Sequence, residues 1–200
     1  MFRSRAIPIF VFPIMLSIGI ILIPLVSNYS DHVLVLQGVD QGARWFAGHL
    51  VSAAAFGICV WAVCEIAAEL QRRTSRSNAI LLSLMSLGAS LYAAGLGVDG
   101  IAPMALRSSG TSALAFFDGG LWVSSVFMLA TIFFAFGLIS LVIRIIRAGL
   151  VEGIWRYVIF SSALVFIIAP AVPSGFALYA EALASLGVFV PIGIAMAHPE

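Results

Sequence analysis

The sequence predicts an all-α, polytopic transmembrane helical bundle of six spans with both termini in the cytoplasm, N-in and C-in. Three observations carry that expectation. Apolar residues make up 62% of the 200 positions and charged residues 10%, with a mean hydropathy of +1.13, more apolar surface than a water-soluble fold can cover. Several separate apolar stretches reach about 20 residues, enough to cross a hydrocarbon core of roughly 30 Å as a helix. The arginines, finally, fall unevenly between the connecting segments, as the cytoplasmic excess of positive charge requires.

The first span is expected at residues 7–27, with Pro8 in its first turn and Pro13 and Pro24 bending it. Arg3 and Arg5 in front of it look like the start of a signal peptide, but the apolar run is too long and no small-residue cleavage site closes it. The polar stretch that follows contains an apolar tetrad, Val33 to Leu36, expected at the membrane surface. The second span is read at 45–70 and the third at 79–102, stopped by Gly100 and Pro103. The fourth is read at 115–143, the fifth at 157–169 and the sixth at 175–197, the whole forming a single transmembrane domain over residues 1–200. The fifth is short, so a re-entrant hairpin of the last two, leaving four full spans, is the alternative.

Orientation follows from charge. Arg3, Arg5, Arg72, Arg73, Arg76, Arg144, Arg147 and Arg156 fall on one side of this topology, and Arg44 and Arg107 on the other. Eight against two puts the termini inside and the segments with Asp31 and Arg107 outside. Small residues mark the packing faces: Gly48, Ser52, Ala55 and Gly57 on the second span, Gly88, Ala89, Gly95 and Gly97 on the third, which are expected to lie together or to serve a dimer.

Composition also excludes functions. The ten basic residues are all Arg, which removes retinal and pyridoxal (PLP) Schiff bases and lysine nucleophiles. A net charge of +1 with no basic run beyond Arg72-Arg73 leaves no footprint for nucleic acid. Cys59 and Cys64 lie on different faces of one helix, too poorly aligned for a disulfide. No G-x-S-x-G elbow occurs, and a bis-histidine haem lacks its second embedded histidine.

Ionisable residues inside a span are costly and therefore mark function. Four of them share the outer leaflet in this topology: His49, Asp99, Asp118 and Glu181. Asp118 and Glu181 have a simpler reading as helix end caps. Asp99, at the carboxyl end of its helix, needs a cation, and His49, Arg44 and Arg107 are at hand. His49 with Asp99 and Asp118 is an acceptable donor set for a divalent metal, although no local motif fixes the spacing. His32 beside Asp31 either completes that set or faces water, Glu65 belongs with Glu69 at the inner end, and His198 lies on the wrong side. The bilayer midplane offers only hydroxyls and aromatics such as Tyr92, Ser125 and Thr131, which argues against a transmembrane proton relay.

His49-Leu50 opening one span, Gly97-Val98-Asp99 ending the next and Asp118-Gly119 opening a third resemble a set of uncharacterised six-helix bacterial membrane proteins. That resemblance implies a multi-pass protein of the bacterial inner membrane and no particular activity. Three readings of function follow. The first is an outward-facing polar pocket, lined by His49, Asp99, Asp118 and Glu181, that binds a cation, metal or small polar ligand. The second is a membrane enzyme, metal-dependent or not, using the same residues. The third is an assembly subunit of a membrane complex.

Overall fold

The computed structural model describes residues 4–74 and 78–197, so Arg3, Arg76 and His198 lie outside the described residues. After a 3-10 turn at Ser4–Ala6, the chain forms α1 (Ile7–Leu22), α2 (His32–Val39), α3 (Gly42–Thr74) and α4 (Ala79–Ser108). There follow α5 (Leu114–Asp118), α6 (Leu121–Arg147), α7 (Trp155–Ile168), a second 3-10 turn at Ala169–Ala171, and α8 (Gly175–Ala197). Among the described residues there is no strand. The helices over Gly42–Thr74, Ala79–Ser108, Ser124–Arg147 and Gly175–Ala197 are long and apolar enough to cross a membrane. Ile7–Leu22 and Trp155–Ala171 are shorter apolar segments.

Six of these helices close into a ring. α1 packs on α3, α3 on α4, α4 on α6, α7 on α8 and α8 on α1, while α6 and α7 meet only thinly. The buried stripe on α3 runs Trp45, His49, Ser52, Phe56, Cys59, Val63, Ile66 and Leu70, alternating three- and four-residue steps as a helix buried along one face must. α6 answers with Ala130, Phe134, Leu138, Leu141 and Ile145. The rings of Phe12, Phe56, Tyr92, Phe134, Phe166 and Phe189 interlock through the centre, edge-on and tilted except for the stacked pair Phe56–Tyr92.

Glycines set the closest approaches. A Cβ on Gly19 of α1 would stand 2.2 Å from Ser52 Oγ, and one on Gly48 of α3 2.6 Å from the Ile23 nitrogen. On the other flank a Cβ on Gly88 of α4 would meet the Phe134 nitrogen at 2.5 Å. In lipid, where no apolar side chain gains by leaving solvent, such backbone proximity is a main source of helix association. The expected adjacency of the small-residue helices, α3 and α4, is observed.

The boundaries depart from expectation where local chemistry competes. The first helix stops at Leu22 rather than 27, because Ile23 precedes Pro24 and takes an extended conformation, φ −60° and ψ 130°. The Val33–Leu36 segment is a capped helix, Asp31 accepting from the backbone nitrogens of Val33 and Leu34. α4 runs through Pro103 to Ser108 instead of stopping at 102. The expected fourth span is broken at Gly119-Gly120, where two glycines weaken the helix, into α5 and α6. α2 and α5 pack together over one end of the ring, burying Val35, Val39, Trp45 and Ala113 in a second, smaller core.

Glycine packing yields a paired prediction. Gly88→Leu should destabilise the folded protein by about 1–3 kcal/mol through overpacking, whereas Gly57→Ala, with nothing within 4 Å of its added Cβ, should leave thermal unfolding in detergent unchanged. Equal unfolding temperatures for the two variants would contradict the close α4–α6 approach.

Candidate functional site

Five helices bring one face each to a cavity of about 200 Å³. α3 contributes His49, Ser52 and Phe56, and α4 contributes Tyr92, Leu96 and Asp99. Leu16 and Ile20 come from α1, Phe127 and Thr131 from α6, and Leu178 and Glu181 from α8, each set at three- or four-residue steps. Tyr29, from the α1–α2 connection, closes it.

The polar centre is the His49–Asp99 pair, with Nε2 3.4 Å from Oδ2. His49 is 3% exposed, and its ring is fixed from both sides. Nδ1 lies 2.7 Å from the Trp45 carbonyl oxygen, which can only accept, so Nδ1 is the donor and Nε2 is left to face the carboxylate. The Trp45 ring lies against the imidazole with centroids 4.4 Å apart. Behind it stands Gly100, where an added Cβ would meet His49 Cβ at 2.7 Å.

Pro103 explains why Trp45 is held as it is. A proline within a helix supplies no N–H to the carbonyl four residues earlier, and here that carbonyl belongs to Asp99. The Trp45 indole Nε1–H donates to it at 2.9 Å, replacing the missing bond with one from the neighbouring helix, a repair that membrane helices require. Pro103, Asp99, Trp45 and His49 are thus one linked unit joining α3 to α4.

Opposite the pair, Glu181 is 6% exposed and lines the cavity, yet among the described residues it has no hydrogen bond or ion pair. Among the described residues the Ser52 hydroxyl oxygen, which is buried, has no partner. Tyr92 and Thr131 satisfy each other at 2.7 Å, and Tyr92 stacks on Phe56 with centroids 4.6 Å apart. Burial, and after it the charge of Asp99, pushes the Tyr29 phenol above its usual range, so it stays neutral.

Of the sequence-derived site residues, the structure brings together His49, Asp99 and Glu181. Asp118 is elsewhere: it ends α5 and pairs with His32 of α2, 2.7 Å away on the exposed cap. Among the described residues no three of His, Cys, Asp and Glu converge to hold a metal. The end-cap readings do not apply either, since Asp118 ends α5 rather than capping α6, and Glu181 is the seventh residue of α8. Nor is Asp99 at a helix terminus, because α4 continues to Ser108. Its expected cationic neighbours separate: Arg107 pairs with Asp40 at 3.1 Å and Arg44 bonds Gln41, leaving His49 with Asp99. Glu65 stands 4.0 Å from Arg5 at the other end of the ring.

Ser52, Phe56 and Tyr92 also line the cavity and Trp45 packs on His49, though none of them carries the charge that makes an embedded residue conspicuous in the sequence. Their signal is spacing: Trp45 and Phe56 lie four before and seven after His49, and Tyr92 seven before Asp99. No family model matches the chain, and no curated protein or solved structure does either.

The Pro103 linkage is testable by a double-mutant cycle. Trp45→Phe should cost about 1 kcal/mol or more by orphaning the Asp99 carbonyl. In a Pro103→Ala background, where the helix regains its own N–H, thermal unfolding should show that cost substantially reduced.

Proposed function

We propose that this protein binds a small organic cation, of the ammonium class, in the cavity between α3, α4 and α8. The observation that carries the reading is Glu181: a carboxyl group buried among apolar side chains, facing an open cavity, with no hydrogen bond or ion pair among the described residues. A carboxylate so placed is strained by the loss of water, and a bound cation offsets that cost. Asp99 adds a second acid, and Phe56, Tyr92, Tyr29 and Phe127 supply aromatic walls of the kind that attract ammonium groups. Among the described residues the protein ligands are too few for a metal centre of the usual kind. The enzyme reading has weaker support, because both ring nitrogens of His49 are engaged, Nδ1 by Trp45 and Nε2 by Asp99. The assembly reading draws on no specific observation.

Tetramethylammonium binding to detergent-purified protein, followed by titration calorimetry, tests this. Saturable binding is expected, reduced at least tenfold, about 1.4 kcal/mol, in Glu181→Gln and in Asp99→Asn, with both variants eluting as folded species. Absence of binding, or binding indifferent to both substitutions, would sink the proposal. A stoichiometric divalent metal found by mass spectrometry in wild type and lost on His49→Ala would shift it to metal binding.

We propose further that the chain is one transmembrane unit over residues 1–200 of a bacterial inner membrane, with α1, α3, α4, α6, α7 and α8 as six spans and both termini inside. In support, Arg5, Arg72, Arg73, Arg144 and Arg147 gather at one end of the ring, where Arg144 bonds Asn78 and Arg5 reaches Glu65. Exposed aromatics flank both ends, Trp122 opening α6 and Trp155 and Tyr157 opening α7. Single cysteines introduced in a background lacking Cys59 and Cys64 should react with an impermeant thiol reagent at Ser109, and at Glu152 only after the membrane is permeabilised. The reverse pattern would overturn the orientation.

A further inference from the structure

The cavity has a neighbour on its α6 side. A second, larger space of about 520 Å³ adjoins it, and Tyr29, Phe127, Thr131, Pro170 and Leu178 line both. This groove runs between α6 and the α7–α8 connection, across the thinnest contact in the ring.

Its origin lies in the sequence. Pro170 and Pro173 cannot continue α7, which tightens into a 3-10 turn and then extends. Two backbone hydrogen bonds tie the connection to the segment after α1: Tyr29 N–H donates to the Pro173 carbonyl at 2.9 Å, and Gly175 N–H to the Val26 carbonyl at 2.8 Å. The connection is therefore held on the α1 side, and the flank of α6 at Met128 and Ile132 is left uncovered. Met128, Ile132 and Val172 line the groove and are 59%, 43% and 48% exposed, at the level of an apolar helix long enough to span the bilayer. Meanwhile α2 and α5 cap the end of the ring nearest the cavity. The open direction is sideways, into lipid.

Resting on the cation-binding reading, we infer that the ligand is a single-chain amphiphile whose ammonium head sits at Glu181 and Asp99 and whose alkyl chain leaves through the α6/α7–α8 groove. The two spaces have complementary chemistry. The inner one carries two acids and aromatic rings, while the outer one is walled by Phe127, Met128, Ile132, Ala171, Val172 and Leu178 with only hydroxyls as polar groups. A small hydrophilic cation uses the first and gains nothing from the second. A phospholipid has two chains and an anionic phosphate for a cavity that carries acids and no arginine.

Calorimetry on the detergent-purified full chain with tetramethyl-, butyltrimethyl-, hexyltrimethyl- and octyltrimethylammonium, all below their micellar concentrations, tests this. In wild type, affinity should rise with chain length, by up to about fourfold per methylene enclosed by protein. Ala171→Trp, filling the groove, should leave tetramethylammonium binding unchanged and reduce octyltrimethylammonium binding at least tenfold. Met128→Trp, a large side chain at an already exposed position, provides a second block should the first variant misfold. An identical chain-length gain in wild type and in the folded groove variants would mean that the chain enters detergent, and would overturn this inference alone. So would the absence of any gain in wild type. Failure of tetramethylammonium to bind wild type would overturn the cation reading and this inference with it.

Discussion

Much of this structure depends on how closely α3 is approached from both sides. Gly19 lets α1 reach the Ser52 side chain, Gly48 admits the backbone at Ile23, and Gly100 lets α4 close over His49. With larger residues at these three positions α1 and α4 would be pushed outward, and the cavity residues of α3 would lose the partners that orient them. The polar centre is a consequence of that proximity. His49 can meet Asp99, and Trp45 can reach the Asp99 carbonyl, only because the two backbones run side by side at a glycine.

The Pro103 arrangement shows how a local defect becomes a tertiary bond. In water, a carbonyl freed by a helical proline is hydrated at little cost. In a lipid-embedded bundle it must find a protein donor, and the indole of Trp45 is that donor. The same indole lies against the imidazole of His49, so the residue that mends the helix also sets the angle of a side chain that lines the cavity. Stability and site geometry are here not separable properties.

Sequence reasoning reached the helical, membrane-embedded character and the sixth helix, residues 175–197, without adjustment, because long apolar runs bounded by prolines leave few alternatives. It also singled out His49, Asp99 and Glu181, which line one cavity, since an embedded charge is conspicuous in so apolar a chain. It misjudged what depends on competition between neighbours. Pro103 reads as a stop because the sequence does not reveal the donor waiting on another helix. Asp118 reads as a site residue because its depth is inferred from helix order, whereas the Gly119-Gly120 break turns it toward His32 on the cap. The lining residues Ser52, Phe56 and Tyr92, and Trp45 behind His49, are ordinary aromatics and a serine, distinguished only by which face of the helix they share.

The placement of α1 between α3 and α8 bears on how the chain is made. α1 meets one neighbour early in synthesis and must wait for the other until the remaining described helices have left the ribosome. Phe12 packs edge-on against Phe189 with centroids 4.8 Å apart, and Phe10 fills the space beside Gly193, so an apolar face of α1 stays unpaired until α8 has been made. In an aqueous compartment such a face would invite aggregation or chaperone capture. Lipid tails solvate it as well as protein does, so the bilayer itself serves as the holding chaperone, and the cavity, which takes Glu181 from α8, is complete only once α8 has docked.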